Sequence, residues 1–113
     1  IILPKKKIVP DILTAGLPTL GIRIPNNELT KKLTNELPFP YTTPSANKSG
    51  GITPYSIEDV KKELDITKVD LILDAGKLPT TPPSTIVDLT TTPAKVLREG
   101  PISKDQIDKT LVN

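Results

Sequence analysis

The chain contains no cysteine, histidine, methionine or tryptophan, and it has only three aromatic residues. Without cysteine and histidine it cannot form disulfides, thiolate or imidazole metal sites, or a Ser-His catalytic triad. Three aromatic rings are too few for a base-stacking surface that binds single-stranded nucleic acid. No apolar run approaches the roughly 18 residues that a membrane span needs, so no membrane partner is expected. Any chemistry therefore depends on carboxylates, hydroxyls, backbone amides, lysines and two arginines.

Proline, in contrast, is abundant, with 13 among 113 residues, mostly where predicted helices and strands end. A mass of 12.2 kDa allows one domain. The formal net charge of +2 is too small to argue by itself for a nucleic-acid partner. The chain starts at Ile1 rather than at Met, inside a predicted strand, and this favours a fragment or a processed chain.

The hydrophobic pattern predicts about five strands and three helices, intermixed along the chain, and hence an α/β or α+β layer with a mixed sheet. Helices are expected over about 28–37, 56–64 and from 103 onward. The second and third begin at capping-box pairs, because Ser56 is followed by Asp59 and Ser103 by Gln106. A single helical turn is expected at 11–15, and short strands at 1–3, 20–24, 69–73, 85–89 and 95–98.

Small and polar residues crowd positions 45–51, which read Ser-Ala-Asn-Lys-Ser-Gly-Gly. Glycines permit close backbone approach and can direct successive N–H groups at an anion, while Lys48 adds a positive charge. The spacing is not that of a Walker A loop. The same composition also suits a turn held by local Asn and Ser hydrogen bonds, so phosphate binding and a structural turn both stay open.

Arg23 and Arg98 are the only residues with a planar fork that can grip a carboxylate or phosphate with two hydrogen bonds. Each lies in or at the end of a predicted strand, where an ion pair with an aspartate is the structural alternative. Ser84 and Thr85 stand at the start of another strand. They either bind a small polar ligand or satisfy backbone groups at the sheet edge.

Two charged groups are interpreted as solvated surface. The lysine tract at residues 5–7 predicts an exposed loop, with a contact to RNA phosphates as the alternative. Asp70, Asp74 and Asp88 match no calcium or magnesium loop in their spacing, so we interpret them as solvated strand ends rather than metal ligands.

Five segments together resemble the C-terminal part of the YrdC-like family, the L-threonylcarbamoyladenylate synthases. The resemblance implies a YrdC-like twisted mixed β-sheet with flanking helices, of which residues 1–113 are the C-terminal portion. The N-terminal half with its K-x-R motif would then be missing, and the isolated chain would be inactive. In one departure, Pro83 stands where the family usually has Glu. The segments agree in order and spacing over nearly the whole chain: Gly21-Ile22-Arg23-Ile24-Pro25, Pro44-Ser45-Ala46-Asn47-Lys48-Ser49-Gly50, Asp70-Leu71-Ile72-Leu73-Asp74-Ala75-Gly76, Ser84-Thr85-Ile86-Val87-Asp88 and Leu97-Arg98-Glu99-Gly100-Pro101-Ile102.

The activity that the resemblance implies is that of a cytoplasmic nucleotidyltransferase of tRNA modification, a threonylcarbamoyl-AMP synthase. Such an enzyme joins L-threonine and bicarbonate, transfers AMP from ATP to the carbamate and releases pyrophosphate. Mg²⁺ accompanies the ATP, and no organic cofactor is implied. The implied macromolecular partners are tRNA or double-stranded RNA and the tRNA threonylcarbamoyl-transfer machinery. A noncatalytic RNA- or nucleotide-binding module of the same fold is the alternative.

Site residues are also carried over by the resemblance, position by position. It identifies no catalytic side chain and no metal ligand in this chain. We expect the two arginines to converge with the loop at Ser45 on one hollow that seats an amino acid beside a nucleotide. The implied ATP-binding residues are Thr19, Ser45, Asn47, Thr53 and Arg98, and the implied threonine-binding residues are Arg23, Thr43 and Ser84.

Overall fold

The computed structural model describes residues 1–111, and the last two residues of the predicted 1–113 domain range lie outside them. These residues form two compact units. The sheet unit comprises Ile1–Glu36 and the described residues from Pro82 onward. The loop unit comprises Leu37–Thr81.

The sheet unit contains four short strands in the spatial order β2-β1-β3-β4. Both outer pairs are antiparallel, whereas the central β1–β3 pair is parallel and places Ile2 opposite Asp88. The mixed sheet expected from the sequence is therefore confirmed. The strands are β1, Ile2–Pro4; β2, Thr19–Gly21; β3, Ile86–Asp88; and β4, Lys95–Arg98.

The core of this sheet lies at Val87, on a central strand. Val87 is 5 % exposed, the one buried apolar side chain among residues 1–111. A β-branched side chain suits this place because its χ1 angle is already restricted in a strand. Many other apolar side chains lie open to solvent, among them Ile12 and Ile24, at 89 % and 79 % exposure. The interior that holds the strands together is therefore small.

All three predicted helices are present in the described part of the chain: α1, Glu28–Glu36; α2, Ile57–Glu63; and α3, Lys104–Leu111. The expected helical turn is a 3₁₀ helix at Asp11–Thr14, and a second follows α2 at Ile66–Lys68. Helix α3 begins with a reciprocal capping box, because Ser103 Oγ accepts from the Gln106 amide at 3.3 Å while Gln106 Oε1 accepts from the Ser103 amide at 2.9 Å.

Two strand predictions were wrong in whole or in part. The apolar run at residues 69–73 is not a strand, and Leu71 is 73 % exposed. A strand needs a partner as well as a pattern, and within residues 1–111 the sheet takes its four strands from elsewhere. Strand β2 ends at Gly21, and the last bond toward β1 joins the Ile22 amide to the Ile1 carbonyl at 2.8 Å. Arg23 therefore lies beyond the strand and not within it.

Helix α2 depends on its N-cap, so we expect Ser56→Ala to destabilise it by about 1 kcal/mol. Ser56 Oγ accepts from the Asp59 amide at 3.2 Å and donates to Asp59 Oδ2 at 2.8 Å. The pKa of Asp59 is held below its ordinary value, first by this hydroxyl and then by the hydrogen bond from Lys62. Because the pKa is lowered in the folded state, this stabilisation is present above the ordinary Asp pKa and is lost as the pH falls through the folded value.

Urea unfolding followed by helical circular dichroism, together with an NMR titration of Asp59, measures both effects. In Ser56→Ala the pKa of Asp59 should rise toward its ordinary value. Ser56→Thr is the matched control, because it keeps the hydroxyl and should unfold within a few tenths of a kcal/mol of the unchanged chain. An unfolding midpoint and a pKa that do not move in Ser56→Ala would contradict the cap.

Candidate functional site

Two of the predicted site residues meet at one end of the sheet. Arg98, the last residue of β4, donates from Nε and Nη2 to the backbone carbonyl of Ser84 at 3.0 and 2.9 Å. Ser84 lies two residues before β3. The partner of Arg98 is thus a carbonyl and not the aspartate considered from the sequence. The contact engages two of the five guanidinium N–H donors, which leaves three that Ser84 does not use.

The neighbouring Thr85 binds the backbone beyond β4. Its hydroxyl donates to the Ile102 carbonyl at 2.7 Å and accepts from the amides of Gly100 and Ile102 at 3.0 and 3.1 Å. For Thr85, the structural alternative, in which the hydroxyl satisfies backbone groups, is therefore observed. Its partners could not be inferred from the sequence, because backbone groups have no residue signature.

Gly100 lies against the segment that carries Ser84. A Cβ at Gly100 would lie 2.2 Å from the Pro83 carbonyl oxygen and 2.7 Å from the Thr85 nitrogen. Both atoms belong to the backbone, so neither can move away as a flexible side chain would. The glycine is required by this close approach, and Pro83 takes part through its main chain.

Thr19 and Arg23 also belong to the sheet unit. Thr19 pairs with Pro4 in the β1–β2 ladder and lines an open, mostly apolar hollow of about 480 Å³. The hollow is also formed by the 3₁₀ helix, through Ile12 and Leu13. Arg23 is exposed and lies two residues after β2. Its guanidinium is accessible to a carboxylate from solvent.

The first lysine of the basic tract has a structural role. Lys5 forms an ion pair with Asp11 and donates to Thr14 Oγ1 at 3.3 Å, with 11 % of its side chain exposed. The hydrogen bond that Lys5 donates to the Asp11 carboxylate, together with the charge of Lys5, holds the pKa of Asp11 below its ordinary value. Lys6 and Lys7 are exposed, so only they match the solvated loop that the sequence predicts.

In the loop unit, the segment 45–51 forms a compact turn. Asn47 Nδ2 donates to the carbonyls of Lys48 and Gly51 at 3.2 and 3.1 Å, and the Gly51 amide donates to the Lys48 carbonyl at 2.8 Å. The Lys48 amide points at Glu63 Oε2, 3.4 Å away. The local hydrogen bonds of the structural interpretation are therefore present, and a carboxylate of the protein faces one of the amides.

One hydrogen-bond acceptor of Asn47 is nevertheless unused among the described residues. Its Oδ1 atom is buried and has no hydrogen-bond partner in the part of the chain that the structure describes. Buried polar atoms are nearly always hydrogen-bonded, and an orphaned one therefore needs an explanation. The two bonds from its NH₂ group fix the amide, and they leave Oδ1 without a donor among residues 1–111.

The remaining predicted site residues are surface hydroxyls of the loop unit, and they are exposed: Thr43, Ser45 and Thr53.

Two of the three aspartates considered as metal ligands close local turns, since Asp74 accepts from the Gly76 amide and Asp88 from the Thr90 amide, each at 2.8 Å. Across residues 1–111 no group of three carboxylates is arranged to hold a metal ion. No helix in that range is long and apolar enough to cross a membrane.

These observations define an α+β fold in which Arg98, at one end of the mixed sheet, binds the backbone of Ser84. Comparison with known proteins identifies the class more closely. A family model described as telomere recombination, covering Sua5, YciO and YrdC, matches residues 1–100. The chain belongs to this Sua5/YciO/YrdC family.

The threonylcarbamoyl-AMP synthase of Pyrococcus abyssi is 35 % identical over 111 residues, which are 98 % of this chain and 32 % of that protein. A protein of Methanocaldococcus jannaschii named putative threonylcarbamoyl-AMP synthase is 39 % identical over 92 % of this chain and 48 % of its own length. The crystal structure of P. abyssi Sua5 complexed with L-threonine superposes with a TM-score of 0.82 at 36 % identity, covering 96 % of this chain and 32 % of that one. The chain thus spans about a third to a half of these relatives.

Proposed function

We propose that this chain supplies the threonine- and ATP-binding C-terminal portion of a threonylcarbamoyl-AMP synthase. The observation that carries the proposal is the 36 % identity and common fold, over 96 % of the chain, with a structure that holds L-threonine. In the proposed reaction the amine of L-threonine condenses with bicarbonate to a carbamate and releases water. The carbamate oxygen then attacks the α-phosphorus of ATP, which forms threonylcarbamoyl-AMP and releases pyrophosphate. The product would serve tRNA modification in the cytoplasm.

In this proposal Arg23 binds the carboxylate of L-threonine, and Thr43 and Ser84 provide polar contacts to the same ligand. The exposed guanidinium of Arg23 suits a free carboxylate, because the planar fork and the carboxylate match in two parallel hydrogen bonds. A lysine would offer charge without this geometry. In this assignment, one of the two arginines of the chain binds L-threonine.

ATP is assigned to Arg98, Thr19, Ser45, Asn47 and Thr53. The three N–H donors of Arg98 that Ser84 leaves unused can neutralise phosphate oxygens. The unpartnered Oδ1 of Asn47 suits an amino or hydroxyl donor, which a nucleoside carries. Mg²⁺ enters as part of the substrate Mg·ATP. The family needs no histidine in this proposal, since orientation and charge neutralisation can supply the rate acceleration.

Pyrophosphate release tests the proposal most directly. We expect the 113-residue chain to release little or no pyrophosphate from Mg·ATP in the presence of L-threonine and bicarbonate, because it spans only a third to a half of the named synthases. It should still bind L-threonine and Mg·ATP separately in isothermal titration calorimetry. Reactions that omit threonine or bicarbonate are the controls for ordinary ATP hydrolysis.

Failure to bind either ligand at millimolar concentration would contradict the proposed function. Robust turnover that requires both threonine and bicarbonate would support the proposed function. It would contradict the expectation that this chain holds only part of the synthase site. Binding of RNA with steep salt dependence, without any response to threonine, would favour the noncatalytic module instead.

A further inference from the structure

We propose that Thr85 is a positioning residue that fixes Ser84 relative to Arg98 and thereby couples the binding of threonine to that of ATP. The ligand assignments rest on the proposed function, which gives threonine to Ser84 and phosphate to Arg98. The positioning itself rests on contacts within the sheet unit, which exist without any ligand.

The hydroxyl of Thr85 is fully used. A threonine hydroxyl has one proton to donate and two lone pairs to accept. Its proton goes to the Ile102 carbonyl at 2.7 Å, and its lone pairs receive the amides of Gly100 and Ile102 at 3.0 and 3.1 Å. These three bonds attach the residue after Ser84 to the backbone that follows Arg98.

Arg98 makes the second attachment, from the opposite direction. Its Nε and Nη2 atoms both bind the Ser84 carbonyl, at 3.0 and 2.9 Å, which fixes the guanidinium plane as well as its distance. The irregularity in the β3–β4 ladder, which pairs Val87 with Val96 but Ile86 with Arg98, brings the arginine to the start of β3. Bulges of this kind re-aim a side chain.

Close backbone packing prevents the two segments from sliding past each other. Gly100 has no room for a Cβ, because the Pro83 carbonyl oxygen would lie 2.2 Å away and the Ser84 carbonyl carbon 2.9 Å away. With hydrogen bonds on both sides of this contact, a shift of the end of β4 also shifts the Ser84 backbone.

Coupling between the ligands follows from this shared backbone. Because Ser84 and Arg98 are attached to each other, a ligand that shifts one of them shifts the other, and the second ligand binds a pair that the first has already placed. Coupling between binding sites is reciprocal and typically lies between about 5-fold and 150-fold in affinity. We expect saturating Mg·ATP to tighten L-threonine binding at least fivefold, and threonine to tighten ATP binding by the same factor.

Amide hydrogen exchange tests the positioning without any ligand. Thr85→Val, which keeps the shape but removes the hydroxyl, should accelerate exchange of the Gly100 and Ile102 amides about fivefold or more. Thr85→Ser keeps the hydroxyl and should protect both amides as in the unchanged chain. The Ile22 amide, bonded to the Ile1 carbonyl, reports whether the fold is intact. Unchanged exchange at Gly100 and Ile102 in Thr85→Val would overturn the positioning role.

Should Thr85→Val fail to fold, Arg98→Lys tests the same link. It keeps the charge but cannot hold the Ser84 carbonyl with two N–H groups of one plane, so the Gly100 and Ile102 amides, which bind the neighbouring Thr85, should exchange faster than in the unchanged chain. Equal exchange rates in Arg98→Lys and in the unchanged chain would contradict the proposal that Arg98 fixes the Ser84 backbone.

Calorimetry tests the coupling. L-Threonine is titrated with and without saturating Mg·ATP in bicarbonate-free buffer, so that no carbamate forms. The ratio of the two threonine dissociation constants should be at least five in the unchanged chain and in Thr85→Ser, and close to one in Thr85→Val. A ratio of one in the unchanged chain, or an undiminished ratio in Thr85→Val, would overturn the coupling. A chain that binds neither ligand contradicts the proposed function, and the exchange measurement then decides the positioning role alone.

Discussion

Val87→Asp should abolish cooperative unfolding of the sheet unit. Val87 is 5 % exposed at the centre of a four-stranded sheet, and a carboxylate there would lose its hydration without gaining a partner. Such a burial costs several kcal/mol, which is comparable with the whole stability of a small domain. Urea unfolding and far-ultraviolet circular dichroism would show a lost transition and a lost strand signal.

Val87→Ala gives a graded version of the same test, because removing two methyl groups leaves a cavity and should cost about 2 kcal/mol. Ile24→Asp is the matched control, since Ile24 is 79 % exposed in the same unit and its replacement should leave the transition almost unchanged. A Val87→Asp chain that unfolds at the same urea concentration as the unchanged chain would mean that the core lies elsewhere.

Arg23→Gln should weaken L-threonine binding by about 10- to 150-fold, if Arg23 holds the threonine carboxylate as proposed. A hydrogen bond to a charged group is worth about 1.5–3 kcal/mol, which corresponds to this range of dissociation constants. Glutamine is shorter than arginine and lacks both the charge and the fork. Isothermal titration calorimetry with L-threonine measures the change directly.

Arg23→Lys separates geometry from charge and should bind threonine with intermediate affinity, since it keeps the positive charge only. Lys32→Gln removes one exposed charge from helix α1 in the same unit and should leave threonine binding unchanged. Equal affinities for L-threonine in Arg23→Gln, Lys32→Gln and the unchanged chain would show that Arg23 does not bind threonine.

Features that depend on interactions between residues close in the sequence could be predicted. A capping box joins residues three apart, so Ser56 with Asp59 and Ser103 with Gln106 located the starts of two helices. The last strand was predicted over residues 95–98 and is observed there. In each case the responsible interaction is local, and its partners stand in the same short segment.

Features that depend on distant partners could not be predicted in this way. The run at residues 69–73 has the composition of a strand but lacks a paired neighbour among the described residues. The bond from Arg98 to Ser84 joins residues 14 apart through a backbone carbonyl, which any residue type supplies. The family resemblance selected both residues, yet it attached them to different ligands and did not show that they bind each other.

The parallel pairing of β1 with β3 also bears on how this polypeptide is made. Ile2 must wait for Asp88 before the centre of the sheet can close, whereas β1 and β2 are separated by only the 14 residues 5–18 and can pair early. Translation at about 5–20 residues per second separates the synthesis of β1 from that of β3 by roughly 4 to 17 s. A nascent strand whose edge is unpaired can bind a chaperone, or it can pair wrongly with a nascent chain on a neighbouring ribosome. Synonymous codons that change the pace of translation before β3 would lengthen or shorten this interval without altering a single residue.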